Sequence, residues 1–327
     1  MRVAAIEVSH WHALYDAAYL KNALTLPGVE LVAIQDPSAE IAAQRAAALG
    51  GPSVYTDYRT MLHETRPDFV IALGRHSAMA SIAHHLLDEG YPFLMEKPMG
   101  LNAGEVRPIA DKAAAKRAFV AVCLAQRYQP FTIRARQLLA EGRLGPLSHV
   151  YVRLNRPTSA RYPAWGSPWM LDPAIAGGGC LRNLGTHVMD LFLLLTGEDA
   201  RVTAAQLSSR ALGQSVEDYA SVLLRSSGGV LGTVEIGNTV PRDGTDGEWK
   251  VAGRDAIFSM RDDVLHLVTS AGEETSPGQP AEPLYLTALR DVLDCFRRGE
   301  APPAGVADVA RAVELIDAAY ARAAATQ

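Results

Sequence analysis

From Arg2 to Cys123 short apolar runs, "RVAAI", "VELVAIQ", "SVY", "FVIAL", "PFLM" and "FVAVC", alternate with segments whose apolar positions recur every three to four residues. Short continuous apolar runs read as strands buried on both faces, and the intervening spacing reads as helices that cover them. The alternation predicts an α/β fold whose N-terminal part is a doubly wound parallel sheet of Rossmann type. One helix shows both of its ends. In "SAEIAAQRAAALGG" Ser38 stands as N-cap, Glu40 favours the positive end of the helix, and glycines follow the last turn.

The pattern changes after about residue 125. A helix around "FTIRARQLLAEG" leads into "SHVYVRLNR", and after a helix near 181–196 come "RVTAAQLSS", "YASVLLRSSGGVLGTVEIGN" and "WKVAGRDAIFSMRDDVLHLVT". Alternating runs joined by "SSGG", "GRD" and "RDD" predict hairpins, hence a C-terminal α+β domain with a largely antiparallel, open sheet. The stretch "TSAGEETSPGQPAEP" at 269–283 reads as a loop. In the closing segment Val306, Val309, Val313, Ile316 and Tyr320 share one helical face. The expected division is 1–124 for the Rossmann domain and 125–327 for the substrate-binding and oligomerisation domain.

Composition narrows the partners. The 327 residues are 48% hydrophobic and 20% charged, and 31 Lys plus Arg stand against 36 Asp plus Glu. No long run of one sign appears, so neither nucleic acid nor an anionic membrane is expected. Cys123, Cys180 and Cys295 are odd in number and far apart, which supports neither a disulfide framework nor a zinc knuckle. The first residues lack the pattern of a signal peptide and no run approaches a membrane span, so the expected location is the cytoplasm. Small molecules and copies of the chain itself remain as partners. An open sheet with one apolar face suggests a homodimer or homotetramer through that face.

Three stretches carry candidate chemistry. Asp36 in "VAIQDPS" ends the second strand, where an acid can bond the adenosine ribose and repel a ribose phosphate, which favours NAD over NADP. "FLMEKPMG" puts Glu96 and Lys97 directly after the fifth strand, at the carboxyl edge where such sheets bind ligands, and a lysine there can polarise a substrate oxygen. "AGGGCLRNLGTHVMDLFLLLTG" leads three glycines into a helix that carries Asn183, His187 and Asp190 on one stripe.

Together, a strand-ending Glu-Lys-Pro, Arg127 and Tyr128 after the sixth strand, the triple glycine with Gly185-x-His187 and Asp190, and the antiparallel second half resemble the Gfo/Idh/MocA oxidoreductases over nearly the whole chain. The resemblance implies a Rossmann domain holding NAD or NADP, a lysine beside nicotinamide and substrate, and an Asp-x-x-x-His pair completing the site. Carried over, these positions are Lys97, Asn183 and His187. Hydride would pass between nicotinamide and a secondary alcohol of a sugar, cyclitol or related polyol. His187 would take the hydroxyl proton, Lys97 would orient the oxygen and Asn183 would position the substrate. Arg127, Tyr162, Trp165 and Trp169 are candidates to line the sugar pocket, and no metal is expected.

The chain departs from that family at two places. "IEVSHWHA" sets Glu7, Ser9 and His12 where a Gly-x-Gly-x-x-Gly loop has its glycines. A dinucleotide would then rely on Ser9, His10, Trp11, His12 and the helix terminus behind them, with Gly74 and His76 of "LGRHSAM" and Glu96 nearby. Asn183 replaces an acid, and an amide cannot accept a proton. Two other readings follow. One is a non-catalytic relative that has lost the dinucleotide. The other is a metal-dependent hydrolase using His10 and His12 as zinc ligands, although its barrel would not contain an antiparallel second half.

Overall fold

The computed structural model describes residues 1–325. They form two compact units. The first comprises 1–123, 162–177 and 285–310, and the second comprises 124–161, 178–284 and the residues from Arg311 onward. The first unit therefore takes in two later segments that a division after residue 124 assigns elsewhere. One reason is visible in the backbone: Val122 N–H donates to Ala304 C=O at 3.0 Å, and Ala121 bridges to Gly305.

In the first unit β1 (Arg2–Ile6), β2 (Glu30–Gln35), β3 (Ser53–Tyr55), β4 (Phe69–Ala72), β5 (Phe93–Met95) and β6 (Val120–Val122) form one parallel sheet in the order β3-β2-β1-β4-β5-β6. All pairings are parallel. The order reverses between β1 and β4, and it is at such a reversal that the carboxyl ends of strands diverge and leave room for a ligand. Every residue of β4, and all of β1 but Arg2, is buried, which is why these strands read as continuous apolar runs. The helix Ala39–Ala47 is capped as its sequence predicts, with Ser38 Oγ accepting the Ile41 N–H at 3.3 Å.

The second unit is built on an eight-stranded sheet. Its strands are β7 (Leu147–Pro157), β8 (Ala200–Ser208), β9 (Tyr219–Ser226), β10 (Leu231–Val240), β11 (Asp246–Gly253), β12 (Ala256–Arg261), β13 (Val264–Thr269) and β14 (Gly272–Pro277). The order is β14-β13-β12-β11-β7-β10-β9-β8, antiparallel throughout except for β7 beside β10. Asp262 and Asp263, both at positive φ (47° and 59°), make the tight turn from β12 to β13. One face carries the core, where Phe131, Val188 and Phe192 from two helices meet Val152, Val222 and Ile236 of the sheet. The other face leaves Leu223, Leu231, Ile257, Val264 and Val268 exposed.

The stretch expected to be a loop at 269–283 contains a strand. β14 pairs with β13 from Val264↔Pro277 to Thr269↔Gly272. All six of its residues are exposed, so no alternation marks it, and backbone pairing alone holds it at the sheet edge, where a proline is tolerated.

Candidate active site

The chain leaves β1 through Glu7, whose φ of +52° does the work of a turn glycine in a residue that resists it. Its carboxylate turns toward Arg75, accepting that residue's N–H at 2.8 Å and lying 3.5 Å from its guanidinium. Gly74, at φ +76°, makes the turn that brings the Arg75 amide there. The remaining amides of the loop are mostly bonded inside it. Ser9 N–H donates to Asp36 Oδ2 at 2.7 Å, His10 N–H to Glu7 C=O, His12 N–H to His10 Nδ1, Ala13 N–H to His10 C=O and Leu14 N–H to Trp11 C=O. A short 3-10 turn, Trp11–Ala13, follows, and a regular helix begins only at Tyr19.

Trp11 is 1% exposed because a segment far along the chain covers it. Its ring lies 5.2 Å from Tyr162, 5.8 Å from Trp169 and 4.0 Å from the stacked His10 ring, with Met170 and Ala176 completing the cluster. Ser167 Oγ donates to Ser9 C=O at 3.2 Å. His76 packs edge-on to Trp169 and donates from Nδ1 to the Ala176 carbonyl at 2.7 Å. Tyr162 and Trp169, candidates for a sugar pocket, are thus packed against the β1 loop, while Trp165 stacks on Tyr15 at 6.2 Å.

Beside this cluster lies a buried charged group. Glu96 accepts from Tyr19 OH at 2.5 Å, and its carboxylate lies 2.9 Å from His12 Nδ1 and 4.0 Å from Lys97 Nζ. Burial alone would raise the Glu96 pKa, but His12 and Lys97 outweigh it and hold the carboxyl well below the usual range. Burial likewise opposes charge on His12, yet Glu96 and Asp16 raise its pKa. Burial, reinforced by His12, keeps His10 well below 6.5 and therefore neutral at pH 7. Lys97 is 1% exposed.

The second unit holds Arg127, Asn183, His187 and Asp190. Asn183 and His187 are buried in the helix Cys180–Thr196, one turn apart. Asp190, on the same stripe, accepts from Arg127 Nε at 2.9 Å and Nη2 at 2.5 Å. That bidentate pair engages the guanidinium expected to meet a sugar. The glycines ahead of the helix serve packing. A Cβ on Gly179 would lie 2.0 Å from the Glu217 carbonyl oxygen. Glu217 caps the helix, its carboxylate accepting the Gly179 and Leu181 N–H groups at 2.8 and 2.9 Å and its carbonyl that of Cys180. No local signal ties Glu217 to that helix, which is why sequence reasoning missed it. Tyr19 was missed as well, because its hydroxyl finds Glu96 only across the sheet.

A doubly wound sheet with a lysine closing its fifth strand, in a chain that also carries an open eight-stranded sheet, defines a class of two-part Rossmann oxidoreductases. Residues 10–124 match the profile described as "Oxidoreductase family, NAD-binding Rossmann fold", and residues 132–259 match the GFO/IDH/MocA C-terminal domain. The chain belongs to the GFO/IDH/MocA family. It is 28% identical over 204 residues to trans-1,2-dihydrobenzene-1,2-diol dehydrogenase of Sus scrofa, an alignment covering 60% of this chain and 58% of that protein. To D-apiose dehydrogenase of Paraburkholderia graminis it is 24% identical over 332 residues, covering 95% and 83%. Among solved structures, an oxidoreductase from Agrobacterium radiobacter in complex with NAD+, L-tartaric acid and magnesium superposes with a TM-score of 0.88 at 16% identity, covering 100% and 97%. Levoglucosan dehydrogenase with NADH and levoglucosan gives 0.86 at 20% identity, covering 100% and 98%.

The fit of a dinucleotide to these residues is divided. Asp36 and Lys97 stand at the strand ends where ribose and nicotinamide would lie. The β1 loop does not fit a diphosphate: its Ser9, His10, His12, Ala13 and Leu14 amides already have acceptors, and the Glu7 and Asp36 carboxylates flank it.

Proposed function

We propose that the chain is an oxidoreductase acting on a secondary alcohol, or the corresponding ketone, of a sugar, cyclitol or related polyol, with a nicotinamide dinucleotide as redox partner. The observation that carries this reading is Lys97, a buried ammonium next to a buried carboxylate at the end of β5. In this reading Lys97 polarises the substrate oxygen, His187 handles its proton, and Asn183 holds a hydroxyl without taking part in proton transfer. Relatives named for a dihydrodiol, apiose and levoglucosan support a polyhydroxylated substrate. Asp36 favours NAD over NADP. The apolar outer face of the eight-stranded sheet favours self-association as a dimer or tetramer. A cytoplasmic setting agrees with three free, buried cysteines, and no helix among the described residues is long and apolar enough to cross a membrane.

A second reading, a relative that no longer binds dinucleotide, is favoured by the internally bonded amides of the β1 loop. One experiment separates the two. Purified protein is titrated with NADH and NADPH by tryptophan quenching, denatured protein is checked for co-purified cofactor, and a polyol panel is assayed with wild type and Lys97→Met. Saturable binding and turnover lost in Lys97→Met support the oxidoreductase. Absence of binding, with no cofactor carried through purification, transfers the argument to the second reading.

A further inference from the structure

Three side chains at the carboxyl edge of the first unit's sheet bring potential ligand atoms close together. His10 and His12 come from the β1 loop and Glu96 from the end of β5, two positions away in the sheet. One donor atom of each lies within 4.8 Å of the other two, and the residues are 1%, 3% and 1% exposed.

In each residue the other polar atom is occupied. His10 Nδ1 accepts the His12 N–H at 3.1 Å, His12 Nε2 faces Asp16 Oδ2 at 3.5 Å, and Glu96 Oε1 accepts from Tyr19 OH. His10 Nε2, His12 Nδ1 and Glu96 Oε2 are shielded from solvent and without a hydrogen-bond partner among the described residues, Glu96 Oε2 having only the Lys97 ammonium at 4.0 Å. His12 Nδ1 also lies 2.9 Å from Glu96 Oε1, a charge contact that a bound cation would replace. Unsatisfied polar atoms are rare in protein interiors, and three on neighbouring side chains within one buried cluster indicate something they bind.

We propose that His10, His12 and Glu96 form a binding site for a divalent first-row cation of the zinc type. Two imidazoles and a carboxylate suit such an ion, whereas magnesium and calcium prefer oxygen donors throughout. Zinc–ligand bonds place donors about 3 to 4 Å apart, so the cluster closes by roughly an ångström at its widest. Asp16 behind His12 and Tyr19 behind Glu96 supply the outer partners that orient metal ligands. Ligation through His10 Nε2 moves that ring's proton to Nδ1, so the contact from the His12 N–H is given up, one neutral hydrogen bond exchanged for a metal–nitrogen bond. Three protein donors leave at least one position for water or a substrate oxygen. The site ties the end of β1 to the end of β5, beside Lys97.

The test uses full-length protein stripped with a chelator, then titrated with zinc in competition with a chromophoric chelator and with cobalt as a spectroscopic probe. We expect one ion per chain and the visible bands of a four- or five-coordinate cobalt site. Asp16→Asn is expected to weaken zinc binding roughly 10- to 100-fold, and His12→Gln and Glu96→Gln by more than that. His266→Ala, which removes the surface histidine paired with Glu273, is expected to leave it unchanged. If folded wild type takes up neither ion at one per chain, the proposal falls and a buried water satisfies the three atoms instead; this holds even if the variants fail to fold. Undiminished stoichiometric uptake by His12→Gln also overturns it.

Discussion

The Asp36 carboxylate accepts the Ser9 N–H at 2.7 Å through one oxygen and the Ser38 N–H at 3.0 Å through the other. The acid that ends β2 is therefore a clamp between the β1 loop and the start of the following helix, whatever else it contacts. Charge-assisted bonds contribute about 1.5–3 kcal/mol each, and both of these amides are part-buried, so Asp36→Ala should lower unfolding stability by roughly 3 kcal/mol in urea titrations. If Asp36 also holds a ribose, the same variant raises the Kd for NADH. Loss of stability with an unchanged Kd would leave the clamp as its only role.

Trp11 anchors the aromatic cluster with Tyr162, Trp169 and Met170. Truncating a fully buried aromatic removes its transfer free energy and leaves a cavity, so Trp11→Ala should cost about 3–5 kcal/mol, and Trp11→Phe much less. Denaturant midpoints of the two variants check this. Equal midpoints would mean that the loop collapses freely and that the cluster contributes little.

Asp190 and Arg127 form a bidentate pair with both partners largely buried. Removing Asp190 takes the bidentate acceptor from a largely buried guanidinium, so Asp190→Ala should destabilise by about 3–5 kcal/mol, while Arg127→Met with Asp190→Leu should recover most of the loss. A denaturation series on the three proteins measures it. Should Arg127→Met instead raise KM for a polyol at unchanged stability, the guanidinium belongs to the substrate and not to Asp190.

Gly179 has no room for a side chain against the Glu217 backbone. Gly179→Ala must push apart a helix terminus and the carboxylate that caps it, and its loss of stability should exceed roughly 4 kcal/mol, in the range reserved for core disruption. Glu217→Gln keeps the shape and loses the charge at the positive helix end, which should cost about 1 kcal/mol. Soluble expression and thermal melts of the pair separate the steric effect from the electrostatic one.

Much of the architecture could be read without coordinates because it rests on local rules. The runs that became β1, β4, β5 and β6 are apolar at successive positions, since a strand covered on both faces has no polar side. Ser38 caps its helix through an amide three residues away, and Val309, Val313 and Ile316 are buried as their spacing requires. The position of Lys97 at a strand's carboxyl end followed from the same reasoning.

Other features depend on partners brought from far along the chain, and loop residues have no period that announces them. Nothing near Trp11 foretells Tyr162 and Trp169, nor anything near Gly179 the carboxylate of Glu217, and β14 exists only because β13 offers an unpaired edge. The convergence of His10, His12 and Glu96 is of this kind. Periodicity and capping are settled within a few residues by backbone hydrogen bonds and side-chain direction, whereas the meeting of loop side chains is settled by the path of the whole chain, which no short stretch of sequence contains.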